Sequence, residues 1–105
     1  MDKLAKLRDL VGRLREHAPP LLPVRVYVRQ RLPDDHQGWC CLVYDGTRPA
    51  RFHILVRRAA WPTMKDAVLH EWAHALSWQE GELTEMHGPE WGLAYARVYQ
   101  EMVEP

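Results

Sequence analysis

Two histidines four residues apart constrain this chain more than any other feature. They bracket Glu71 in the run His70-Glu71-Trp72-Ala73-His74, an H-E-x-x-H pattern. On an α-helix, residues i and i+4 lie on one face a turn apart, so His70 and His74 can offer imidazole nitrogens to one metal ion. Glu71 is rotated partly away from that face, off the metal but within reach of a water the metal holds. Two nitrogen ligands, a third from elsewhere, an open position and a general base are what metal-assisted hydrolysis requires. The plainer reading, solvated or satisfied core histidines, has the chain's six histidines in its favour. Against it stand helical start and stop signals around the motif, a further histidine within loop reach, and a new helix start directly after that histidine.

That further histidine is His87, in His87-Gly88-Pro89-Glu90-Trp91. It is the expected third ligand: Gly88 lets the backbone turn and Pro89 suits the first turn of a helix. Glu82, Glu85 and Glu90 are the carboxylate alternatives. Three neutral imidazoles leave a metal its full double charge, which can bring a bound water's pKa to about 7. The donor set prefers Zn2+. Glu71 is the expected general base, taking a proton from the attacking water and returning it to the leaving group. Tyr95 and His53 are oxyanion-donor candidates whose simpler reading is structural. His17 closes the first helix and His36 lies in a polar loop. The five tryptophans read as the bulk of a small core, with Trp91 also supporting His87.

At 105 residues the chain reads as one domain, 1–105, large enough for a single modest core. Formal net charge is zero, so the overall field gives no argument for tight nucleic-acid or membrane binding, although Arg48, Arg51, Arg57 and Arg58 crowd one region. Cys40 and Cys41 are adjacent and would point to opposite faces of a strand, so neither a disulfide between them nor a cysteine-built zinc site is expected. Free thiols, no signal-peptide pattern and no long apolar run point to a cytoplasmic protein without a membrane segment.

Leu4, Leu7, Val11 and Leu14 recur at helical spacing up to Pro19-Pro20, which predicts a helix from about Asp2 to His17. Val24, Val26 and Val28 alternate with polar residues. Trp39 to Tyr44 is a more continuous apolar run, expected to be the more buried strand. Phe52, Ile54 and Val56 alternate again. Asp45-Gly46-Thr47-Arg48-Pro49 is a turn signal that makes the second and third strands an antiparallel pair. The motif helix is expected from Thr63, as cap with Asp66 following, to about Gln79. A last helix is expected to open at Pro89, with Trp91, Ala94, Tyr95, Val98 and Met102 continuing on one face.

An H-E-x-x-H helix, a short loop and His-Gly-Pro-x-aromatic opening a second helix together resemble the SprT-like (Spartan-type) zinc metalloproteases. The match is good from Thr63 to about Tyr99 and looser over the strands. It implies an α+β fold, a compact zincin-like domain: an N-terminal helix, a small three-stranded mainly antiparallel sheet, the H-E-x-x-H helix and a C-terminal helix. By position, the resemblance makes His70, His74 and His87 zinc ligands and Glu71 the catalytic base. The partner it implies is a protein or peptide substrate, which in such enzymes pairs with a sheet edge; the strand Arg51 to Arg58 is the candidate. Larger members act on proteins crosslinked to DNA through DNA-binding extensions. This chain ends at Pro105 without a zinc ribbon and reads as a bare catalytic core, so DNA association rests on the Arg48–Arg58 cluster and the family analogy. The alternatives are a zinc-stabilised binding or adaptor module, an inactive protease relative, and a non-peptide hydrolase such as a deformylase. The last is disfavoured because no cysteine is expected near the motif.

Overall fold

The first helix, α1 (Lys3–His17), begins where the Asp2 carboxylate accepts a hydrogen bond from the Ala5 amide over 2.8 Å, an N-cap that satisfies one otherwise unpaired amide of the first turn. Its buried stripe is Leu7, Leu10, Val11 and Leu14, while Leu4 lies outside the core, 47% exposed. The computed structural model describes residues 2–78 and 89–103.

Three strands follow: β1 (Val24–Arg29), β2 (Gly38–Asp45) and β3 (Arg48–Arg57). The expected β2–β3 hairpin is present, with Gly46 at φ +66° in the two-residue turn. A register shift between Val43 and Tyr44 falls opposite Pro49, which has no N–H to give the ladder. The sheet is not mainly antiparallel. Its order is β1-β3-β2, with β3 parallel to β1 and antiparallel to β2, so it is mixed and β3 is its central strand. Burial explains the placement. Phe52, Ile54 and Val56 of β3 are completely buried, whereas β2, expected to be the more buried strand, is half exposed and forms an edge. Both ladder positions of β3 are therefore taken, and the strand suggested for substrate pairing has no free edge.

The parallel and antiparallel registers align side chains in rows. Val26, Ile54 and Cys40 form one inward row, and Val28, Val56 and Gly38 the next. Cys40 and Cys41, both free thiols, point to opposite faces as a strand requires. Helix α2 (Trp61–Ser77) packs on the inward face across β2 and β3. It starts earlier than the Thr63 cap predicted, with Ala60 as N-cap making no side-chain bond. Pro62 is inside the first turn, where a missing N–H is not needed. Met64, Val68, Leu69 and Trp72 supply most of its buried bulk.

Helix α3 (Pro89–Val103) opens at the predicted proline and packs on α2 and α1, with Ala94 and Val98 buried. Arg97 donates to the His17 carbonyl over 3.2 Å, and Arg15 to the Val24 carbonyl over 2.8 Å, tying α3 to α1 and α1 to the sheet. Of the tryptophans, only Trp72 and Trp78 are buried; Trp61 and Trp91 are half-buried and Trp39 is exposed. The architecture is thus a compact α+β fold of three helices and a three-stranded mixed sheet. No described helix is long and apolar enough to cross a membrane.

Candidate active site

The motif residues lie in the C-terminal half of α2, a stretch in which Ala73 and Ala75 favour helix and Trp78 closes the last turn through its amide to the Ala75 carbonyl over 3.3 Å. Ser77 donates its hydroxyl to the His74 carbonyl over 3.1 Å in the same turn. His70 and His74 are half-buried, their ring centroids 5.1 Å apart, as the i, i+4 spacing predicts. Glu71 is turned inward and buried, with Oε2 4.0 Å from His70 Nε2. Loss of solvent around the carboxylate pushes its pKa from 4.5 up to about 7. A carboxylate so placed is close to the range in which a general base exchanges protons near neutral pH.

Helix α3 supplies a wall. The Trp91 ring is 5.0 Å from His70 and 5.6 Å from His74, and it stacks on Tyr95 at 4.9 Å with only 24° between the planes. Tyr95 in turn stacks on Tyr99 at 6.2 Å, so residues spaced by one helical turn make an aromatic ladder that starts at the two histidines. Burial, then Asp66 and Tyr99 nearby, push the Tyr95 hydroxyl's pKa up, so it stays a neutral donor. Trp91 was expected to support His87; in the described chain it packs against His70 and His74.

Strand β2 forms the other side of the site, which sequence spacing does not reveal. Gly38 lies against Glu71 so closely that a Cβ there would stand 2.9 Å from its Cγ. Cys40, one inward position further along, also senses the Glu71 carboxylate, so a cysteine is present beside the motif where none was expected. Burial first, and then the Glu71 and Cys41 charges, push its thiol pKa well up. The only hint in the sequence was a glycine opening an otherwise apolar strand.

Of the predicted site residues, the structure brings together the ligands His70 and His74 and the base Glu71. His87, Glu82 and Glu85 lie outside the described residues, as does the side chain of Glu90. Among the described residues no three histidine, cysteine or acidic side chains converge as a metal site. His53 lies on the opposite face of the sheet, where its Nε2 accepts from Arg51 Nε over 3.0 Å. Burial, then Arg51 and Arg25, hold its pKa below the usual imidazole range, and it takes no part in this site.

No curated protein matched this chain in comparison, and no solved structure matched it. A model of the SprT-like family matches residues 23–104, which run from the start of β1 through α3 and include the motif helix. That span covers nearly the whole chain, and the chain belongs to the SprT-like family.

Proposed function

We propose that this chain is a zinc-dependent metallopeptidase of the zincin type, with His70, His74 and His87 as ligands of Zn2+ and Glu71 as general base. The observation that carries the reading is the pairing of two half-exposed imidazoles on one helical turn with a buried carboxylate 4.0 Å from the first of them. The donor chemistry fits the metal: neutral imidazoles suit zinc, and Glu71 is turned inward instead of toward a shared ligand position. When bound, the metal would supply Lewis acidity to the scissile carbonyl and lower the pKa of the attacking water. Glu71 would take that water's proton and pass it to the leaving amine, a transfer that its raised pKa suits. The ladder of Trp91 and Tyr95 would keep bulk water from one side of the imidazoles. Family membership supports a metallopeptidase-related role of this kind.

For the substrate we propose an extended peptide lying along β2, the edge strand whose first residue abuts Glu71. Backbone pairing along an edge supplies affinity without demanding sequence, which suits a small domain with few walls. Two free thiols suit a reducing compartment, and the cytoplasm is the proposed location.

One observation favours a nucleic-acid-directed form of the same activity. The face of the sheet turned away from α2 carries Arg25 and Arg29 of β1 and Arg51 and Arg57 of β3, with Tyr27 and His53 between them; one carboxylate, Asp35, stands 3.8 Å from Arg57. Zero net charge conceals this patch. Salt-sensitive binding of single-stranded DNA that is lost in Arg25→Ala/Arg29→Ala would support the directed form, and no binding at low salt would remove it.

The deciding experiment for the activity is hydrolysis of casein and of the chain itself by wild type and Glu71→Gln. Loss of turnover with metal retained supports the general base; undiminished turnover rejects it.

A further inference from the structure

We infer that Gly38 is the positioning residue for Glu71, keeping open the space that the carboxylate occupies; the inference rests on the proposed role of Glu71 as base. The described glycines differ in what surrounds them. Gly46 sits in a hairpin at φ +66°, and its freedom of backbone explains it. Gly12 and Gly92 face open space. Gly38 has neither excuse. It has no left-handed φ, it pairs with Val56 in regular strand, and glycine in a strand costs conformational entropy and gives no side chain to the core.

What Gly38 provides is close approach. A Cβ there would stand 2.9 Å from Glu71 Cγ, 3.2 Å from its Oε2 and 3.4 Å from the Ala67 Cβ. Ala67 lies one helical turn before Glu71, so the edge strand and the helix close on the carboxylate from two sides with their smallest residues. The Glu71 side chain, 11% exposed, is held between them. A methyl group at position 38 would not need to break the strand. Glu71 is the flexible partner, so it would be the group to move, away from where a base must stand. A displacement of about 1 Å in a catalytic group is enough to cost on the order of a hundredfold in rate.

The test is a double-mutant cycle on the metal-free chain, Gly38→Ala against Glu71→Ala, with Gly92→Ala as the control for adding a methyl in open space. Gly38→Ala is expected to lower Tm by roughly 5 °C or more, as overpacking does in a domain of this size. The same substitution in the Glu71→Ala background is expected to leave Tm unchanged or raise it, because the obstructing side chain is gone. A Gly38→Ala chain that fails to fold while the double variant folds is the same result in stronger form. An equal Tm loss in both backgrounds, or failure of both to fold, overturns the inference.

Turnover adds a readout that mere destabilisation would not move. At a temperature where both are folded, Gly38→Ala is expected to lose at least about tenfold in kcat with KM within twofold, and Gly92→Ala to change neither. Unchanged kcat overturns the positioning role. The Tm cycle needs no substrate, so undiminished turnover in Glu71→Gln would reject the base while the cycle still decides whether Gly38 and Glu71 are coupled.

Discussion

Trp72 donates its indole N–H to the carbonyl of Ala18 over 2.8 Å, and this bond fixes the motif helix to the end of α1. Ala18 is the C-cap of α1, so the acceptor belongs to the first carbonyl beyond the helix, one that no helical amide reaches. Trp72 is wholly buried and sits next to Glu71 in sequence, which makes it the structural counterweight to the residue beside it. Trp72→Phe keeps most of the ring but leaves that buried carbonyl without its donor, and is expected to cost about 1–3 kcal/mol in urea unfolding. Trp72→Ala is expected to cost about 3–5 kcal/mol. Equal stability of Trp72→Phe and wild type would show that water replaces the indole.

Glu71→Gln keeps the size of the side chain and removes its ability to accept a full proton. Hydrolysis is expected to fall by about 10²–10⁴-fold, the usual contribution of a positioned general base, while bound zinc per chain stays at the wild-type level. Parallel metal analysis and peptide turnover check it.

The raised pKa of Glu71 has a consequence for stability with a definite sign. Its carboxyl titrates at 4.5 when unfolded and at about 7 in the fold. Between those values the folded chain holds a proton that the unfolded chain has released, so stability falls as pH rises through the window. The penalty is absent below the lower value and complete above the upper. Glu71→Gln cannot ionise, so its stability relative to wild type is expected to grow by up to ~3 kcal/mol from pH 4.5 to 7 with a chelator present. A difference that stays flat with pH, measured by urea unfolding, would mean that the carboxylate keeps its water in solution.

Metal removal should be visible in thermal unfolding. Zinc at a hundred times its dissociation constant stabilises a folded site by about 2.7 kcal/mol, so wild-type Tm is expected to rise on adding zinc and return with chelator. His70→Ala, His74→Ala and His87→Ala are each expected to weaken the metal by more than about a hundredfold and to suppress that rise. An unaltered zinc response in His87→Ala would move the third ligand to Glu82, Glu85 or Glu90.

Trp91 contacts both histidine rings from α3. Trp91→Ala is expected to cost about 1–2 kcal/mol of stability through lost aromatic packing, and to weaken zinc by about tenfold as the imidazoles gain freedom. Calorimetric zinc titration of the variant separates the two effects.

Helix and strand positions were legible because burial imposes a period. The leucines of α1, the alternation of β3 and the proline opening α3 each leave that mark, and the i, i+4 histidines did meet on one face. Neighbour relations in the sheet leave no such mark. Trp39 to Tyr44 is rich in apolar residues and read as the more buried strand, yet β3 is the buried central one, with Phe52, Ile54 and Val56 all pointing one way into the core. The same blindness hid Gly38 and Cys40 from the site, since their distance from Glu71 is set by how β2 docks on α2. The start of α2 was misread because Thr63 resembles a cap, although Pro62 is equally at home inside the first turn.

The position of β3 joins one local pairing to one nonlocal pairing. Its hairpin with β2 turns on two residues and needs only local search, an event of microseconds. Its parallel partner β1 must return from across the intervening chain, since Val24 aligns with Phe52, and such nonlocal pairings form slowly. Without β1, one edge of the central strand β3 would lack its partner. Substitutions at Val24, Val26 or Val28 would therefore weaken the nonlocal pairing that completes the sheet without touching a ligand.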